Sequence, residues 1–197
     1  MTLLPKILLC VLVLAVATGV SARAGDTVTL AHQWGESRIE TVPQKVVALS
    51  YTGGDHLLAL GIEPVAVRYW YGGNAQGHWP WTEQALQGHA PLVLRGEIDV
   101  ERIALLKPDL IEALWSGITE DEYRQLSEIA PVLVPAAGRG AYGTPWQEML
   151  LTIGRATARQ ETARHLVRDL EARLRTIRRD HPGWSGKTAA IGWPSGP

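Results

Sequence analysis

Lys45-Val46-Val47-Ala48-Leu49-Ser50 is a short apolar run closed by a small polar residue. Four apolar residues without polar alternation suit a strand covered on both faces, as in a parallel sheet, rather than one with a face in water. Three further runs have the same form: Pro64-Val65-Ala66-Val67, Asp109-Leu110-Ile111-Glu112-Ala113-Leu114 and Pro131-Val132-Leu133-Val134. Between them lie helix-like stretches with turn signals at Gly61 and Lys107-Pro108. Strands alternating with helices predict an α/β fold, a parallel-sheet βα lobe of three layers. Ligands of such sheets sit at the carboxyl ends of the strands. The segments that follow the runs are therefore the ones to watch: Ser50-Tyr51-Thr52, Arg68-Tyr69-Trp70-Tyr71, Trp115-Ser116 and Arg139 to Tyr142.

Upstream, Val28 to Thr41 reads as a hairpin, and the first residues read as an export signal. Lys6 precedes an apolar run, Ile7 to Ala17, followed by small residues ending Ala22-Arg23-Ala24. That is the order of a cleavable secretory signal peptide, residues 1–24, and the run is shorter than the roughly 20 residues of a membrane span. The only cysteine, Cys10, lies inside the run. A mature chain cut near Ala24 is expected to hold no thiol, and so no disulfide, thiolate zinc site or cysteine nucleophile. A lipid anchor would need a cysteine at the cleavage point, so a soluble exported protein is expected.

Downstream, Thr144-Pro145-Trp146-Gln147 and Thr157-Ala158-Arg159-Gln160 both have the form of a capping box opening a helix. The second opens a long amphipathic helix with Ala163, Leu166, Val167, Leu170, Leu174 and Ile177 on one face, expected to run to about Asp180 before His181-Pro182-Gly183 stops it. Its arginines alternate with Glu161, Asp169, Glu171 and Asp180 and read as a solvated face of mixed charge. Lys187 to Ile191 reads as the start of another strand.

Composition excludes several functions. A formal net charge of −1 argues against nucleic acid as a partner, because such domains carry a strongly basic face. His32, His56, His78, His89, His165 and His181 show no spacing that pairs two on one helix face, so a metal held directly by the protein is not expected. Gly138 to Gly143 matches a dinucleotide fingerprint, but no second strand follows, and a loop is the better reading. Ser50 follows a strand without a nucleophile-elbow motif, so an exported serine hydrolase using Ser50 is the rival from another class. Eight Trp and five Tyr against no Phe favour flat, partly polar ligands.

These residues resemble a known family, the iron-siderophore binding proteins of ABC importers whose two lobes are joined by one long helix. The stretches that carry the resemblance are Lys45 to Ser50 with Leu57 to Val65, Trp79-Pro80-Trp81, Val100 to Ile111, Ser127 to Val132, Gly143 to Trp146 and Leu151 to Arg155. They cover nearly all of the mature chain in the right order. The resemblance implies an N-terminal ligand-binding lobe over residues 25–157, a linker helix over 158–182, and in 183–197 only the start of a second lobe that is essentially missing. Half a cleft would leave a ligand largely solvated, whereas good sites bury about 70–90% of it. A complete two-lobed form is expected to be a monomer, and the part-covered helix stripe is expected to promote self-association.

The resemblance further implies capture of a ferric siderophore, with haem or vitamin B12 as an alternative of the same class, and no catalytic residue. No cofactor of the protein's own is expected, since the iron arrives inside its chelator. Flat walls are expected from Tyr51, Trp70, Tyr71, Trp115 and Tyr142. Partners for negative chelate oxygens are expected in Arg68, Arg95 and Arg139, whose planar guanidinium forks also stack on rings. Asp99 to Ala104 reads as the first turn of a helix with Asp99 as cap, Ile103 and Leu106 inward and Glu101 outward. The resemblance makes Glu101 the contact to the membrane permease.

Overall fold

A computed structural model describes residues 27–70, 79–190 and 192. The expected signal peptide with Cys10, and Tyr71, lie outside the described residues. The chain opens with an antiparallel hairpin, β1 (Val28–His32) and β2 (Gly35–Ile39), as predicted. Its inner positions Leu30, His32, Ser37 and Ile39 are buried. Strand β3 (Val46–Ala48), helix α1 (Gly53–Ala59), β4 (Ala66–Arg68), a 3-10 turn (Pro80–Thr82), α2 (Glu83–Leu86), β5 (Leu92–Leu94), α3 (Val100–Leu105), β6 (Leu110–Glu112), α4 (Glu120–Ser127), β7 (Val132–Leu133), α5 (Trp146–Ala156) and α6 (Gln160–Asp180) follow.

The five strands β3 to β7 form one wholly parallel sheet in the order β5-β4-β3-β6-β7. The chain enters at the centre, runs outward through β4 and β5, then returns to the other flank of β3. The order therefore reverses between β3 and β6, which opens a crevice at their carboxyl ends. Val46, Val47 and Ala48 are completely buried, as an unbroken apolar run requires. On one face Val46, Ala48 and Leu110 pack with α1, α5, the start of α6 and the hairpin. On the other, Val47, Leu49 and Ile111 pack with Ile103 of α3 and Leu126 of α4. This is the expected three-layer lobe, with β5 as a fifth strand beyond the four apolar runs.

Two helices start elsewhere than their capping motifs predict. At Thr144 no capping box forms: Pro145 is extended (φ −62°, ψ 148°), the helix begins at Trp146, and the buried Thr144 hydroxyl has no hydrogen-bond partner among the described residues. The proline is the last extended residue rather than the first helical one, which leaves Thr144 one position too early. Thr157 does not cap α6 either, because its hydroxyl donates back to the Ile153 carbonyl at 2.7 Å and closes α5. Helix α6 begins at Gln160, two residues after the turn residue Ala158 (φ 55°). Among the described helices a capping box forms at the head of α4, between Thr119 and Glu122.

Helix α6 has 21 residues, roughly 31 Å at 1.5 Å per residue. Ala163 is buried, with Leu166 and Val167 against the same core, while Leu170, Leu174 and Ile177 remain 41, 40 and 46% exposed. It stops at His181 as predicted, and the ring of His181 stacks on Trp184 at 4.0 Å. Among the described residues the strand expected from Lys187 is not formed: Lys187 to Ala190 are exposed and without regular structure. No sheet edge among the described residues pairs with them, and a strand needs one.

Candidate functional site

The crevice is an aromatic cleft. Tyr51 follows β3, Tyr69 and Trp70 follow β4, Trp115 follows β6, and Tyr142 comes from the loop between β7 and α5; together they line an open hollow of about 600 Å³. Trp115 is its centre. Its ring meets Tyr51 at 6.2 Å, Trp70 at 6.2 Å and Tyr142 at 5.3 Å, each nearly perpendicular, the edge-to-face geometry that ring quadrupoles favour. The Trp115 indole N–H donates to the Tyr142 carbonyl at 2.7 Å, tying two walls together. At Gly117 (φ +71°) a Cβ would lie 2.0 Å from the Tyr142 hydroxyl, so only glycine lets that ring close over the loop.

Under this cleft sits a buried carboxyl. Glu112 ends β6 with no exposed surface. Its Oε1 accepts from the Ser50 hydroxyl at 2.6 Å and the Leu114 N–H at 2.9 Å, and its Oε2 from the Ser50 N–H at 3.3 Å. The Ser50 hydroxyl in turn accepts the Trp115 N–H at 2.7 Å. Burial pushes the Glu112 carboxyl above its ordinary range, offset in part by the Ser50 and Leu114 hydrogen bonds and by the nearby His56. One carboxyl thus holds the loop carrying Tyr51 to the loop carrying Trp115. Gly53 makes room for it, since a Cβ there would stand 1.9 Å from Oε2.

Ser50 is 2% exposed and spends its hydroxyl on Glu112 and the Trp115 backbone. It belongs to the cleft floor, and this geometry removes it as a nucleophile, which must be free to reach a substrate and a base.

The three arginines fall differently. Arg68 stands at the cleft, 4.6 Å from the Tyr51 ring centroid, with Nη1 donating to the Ser116 carbonyl at 2.9 Å. Arg95 covers the Tyr69 ring at 3.9 Å, and with Arg68 lines a narrow crevice beside the main one. Arg139 is drawn to Glu148 on α5 at 2.6 Å. Of the predicted wall residues, Tyr51, Trp70, Trp115 and Tyr142 come together. Tyr69 and Glu112 were not predicted. Tyr69 directly follows the β4 run, and an acid inside an otherwise apolar strand is the sequence signal for Glu112, since charges are almost never fully buried unless paired.

Glu101 is exposed in the first turn of α3, which starts on the rim where the strands end. Asp99 caps that helix by accepting the Arg102 N–H at 2.9 Å, Ile103 is buried and Leu106 half-buried, as expected.

The periplasmic binding protein family matches residues 46–196. A probable siderophore-binding lipoprotein of Bacillus subtilis, YfiY, is 29% identical over 85% of this chain and 50% of its own length. A periplasmic solute binding protein of Mycobacterium smegmatis superposes with a TM-score of 0.77 at 41% identity, over 82% of this chain and 57% of that one. PiaA of Streptococcus pneumoniae, solved in complex with ferrichrome, gives 0.67 at 29% identity, over 78% of this chain and 52% of that one. The chain spans about half the length of the curated relatives it matches. With a family match over more than half its residues and a parallel sheet reversing at the cleft, the chain belongs to the periplasmic binding protein family.

Proposed function

We propose that the chain supplies one lobe of an exported, extracytoplasmic substrate-binding protein that captures a ferric siderophore for an ABC importer. The observation that carries this is the aromatic cleft at the sheet's switch point, with a guanidinium at its edge. A ferric chelate is a large body with flat faces and, in many cases, net negative charge. Edge-on rings offer contact area to its faces, and Arg68 offers charge to its oxygens. The relatives' names support the same reading, one called siderophore-binding and another solved with ferrichrome. The iron is cargo within its chelator, and the protein's part is to bind and present it.

Titrating the purified protein with ferrichrome and with an anionic ferric catecholate, read by tryptophan quenching, tests this. Arg68→Ala is expected to weaken the anionic complex by about 2 kcal/mol or more, as for a partly buried charged contact, and the neutral one less. Arg139→Ala should change either by under about 1 kcal/mol, because that side chain is 46% exposed and paired with Glu148. Arg95→Ala belongs between them. Equal effects of Arg68→Ala on both complexes would remove the charged role.

Docking to a permease is assigned to Glu101, whose carboxylate projects from the rim of the ligand side. Part of its presence there is explained by the helix N-terminus, worth about 0.3–1 kcal/mol. Glu101→Lys is expected to abolish most uptake in reconstituted vesicles while ligand affinity and melting temperature stay near wild type, since like charges across an interface cost several kcal/mol. Normal uptake by Glu101→Lys would reduce the residue to a helix-end charge.

A further inference from the structure

Two tryptophans outside the cleft are held in a way that core packing does not explain. The indoles of Trp79 and Trp81 stack face to face, 4.8 Å apart and 9° from parallel, yet Trp81 keeps 64% of its surface exposed. The Trp81 indole N–H donates to Asp55 Oδ2 on α1 at 3.1 Å. The segment is fastened to the core by its neighbours, the buried Thr82 and Leu86, so the fold does not need a ring at position 81. Trp79 meets Trp70 edge-on at 6.3 Å, and Trp70 meets Trp115 at 6.2 Å. An unbroken row of indoles therefore leads from the centre of the cleft to an open platform beside α1. A large ring fixed in water by a stack and a hydrogen bond is a preformed apolar surface, and surfaces of that kind mark contact sites.

We infer that Trp79 and Trp81 form an outer subsite that takes a planar aryl arm of the chelate whose iron-bearing part sits in the cleft. The inference rests on the chelate-binding reading and names the ligand class within it. A flat ring would lie on the open face of Trp81. Asp55, beside the indole edge, has a further carboxylate oxygen for a phenolic or amide donor and repels a carboxylate arm. The ligand fitted to this row is an aryl-armed chelate with donor groups at its edge, rather than a polycarboxylate.

The test uses two ferric trihydroxamates with the same iron cage: ferrioxamine B, and ferrioxamine B acylated on its free amine with a 2-hydroxybenzoyl group. Both are titrated into the full chain by tryptophan quenching and calorimetry. The acylated form is expected to bind about tenfold more tightly, the size of one good aromatic stack. Trp81→Ala should erase that preference while leaving ferrioxamine B affinity unchanged and lowering the melting temperature by no more than about 5 °C, the loss of one exposed stack and hydrogen bond, and Trp81→Phe should restore part of the preference. Equal affinity of the two probes for the wild type, or equal weakening of both by Trp81→Ala, overturns the subsite and leaves the cleft reading intact. Failure of both probes to bind the wild type overturns the chelate reading and the subsite with it.

Discussion

Glu112→Ala is expected to lower the unfolding free energy by about 3–5 kcal/mol, as much as truncating a fully buried core side chain. The substitution strands the Ser50 N–H, the Leu114 N–H and the Ser50 hydroxyl in the buried floor of the cleft. Each buried group left unsatisfied costs roughly 1–3 kcal/mol, and the vacated carboxyl adds a cavity term. For a chain of this length the melting temperature should fall by roughly 10 °C. Glu112→Gln separates the hydrogen bonds from the charge. It keeps an acceptor for the Ser50 hydroxyl and the Leu114 N–H, turns an NH2 toward the Ser50 N–H, and cannot ionise, so near neutral pH it should cost less than Ala.

The same carboxyl sets a pH dependence. Because burial raises it from an ordinary 4.5, the folded chain holds this proton more tightly than the unfolded chain does. Its contribution to stability is complete below pH 4.5 and is lost as pH rises from there through the raised value. His32 acts in the opposite sense: burial lowers it from 6.5, so acidification below that value weakens the fold. Denaturant titrations of wild type and Glu112→Gln from pH 4 to 8 isolate the first term by difference, and the variant should show the flatter slope above 4.5. A Glu112→Ala protein that melts with the wild type would mean that the two cleft loops are held by something other than this carboxyl.

What the sequence made legible was whatever depends on local pattern. Unbroken apolar runs such as Val46 to Leu49 have one comfortable home, a strand covered on both faces, and alternation with helices leaves little choice of topology. The position of the cleft follows from that topology alone. Strand β5 was missed because it is only three residues long, at the sheet edge, with Leu92 36% exposed. The caps failed for a different reason: Thr144 and Thr157 have the right local motif, but the frame of each helix start is fixed by tertiary contacts. Thr157 is also within reach of the Ile153 carbonyl that its hydroxyl prefers. Charge partners are equally invisible to local reading. Nothing in the spacing of Arg139 shows that Glu148 will take its guanidinium, or that Glu112 will find three donors on two loops.

Trp115→Ala is expected to weaken ferric chelate binding by about 100-fold, the largest effect on function. Tryptophans central to a binding surface commonly contribute 2 kcal/mol or more, and tenfold in affinity corresponds to about 1.4 kcal/mol. Trp115 has that place here, with Tyr51, Trp70 and Tyr142 each in ring contact with it. Its loss removes contact area and also the N–H that holds the Tyr142 carbonyl, so a second wall is loosened with the first. The backbone bond from Trp115 to Ser50 survives the change, and with it the Glu112 floor, so the stability cost should stay near 1–2 kcal/mol despite the partial burial of the ring. Trp115→Phe distinguishes the two contributions: a ring remains in the cleft but the hydrogen bond to Tyr142 is gone, and an intermediate loss of about tenfold follows if both count. Calorimetric titration of all three proteins with the chelate bound best by the wild type, alongside their melting curves, decides the matter. Wild-type affinity in a well-folded Trp115→Ala protein would show that the chelate sits somewhere other than this cleft.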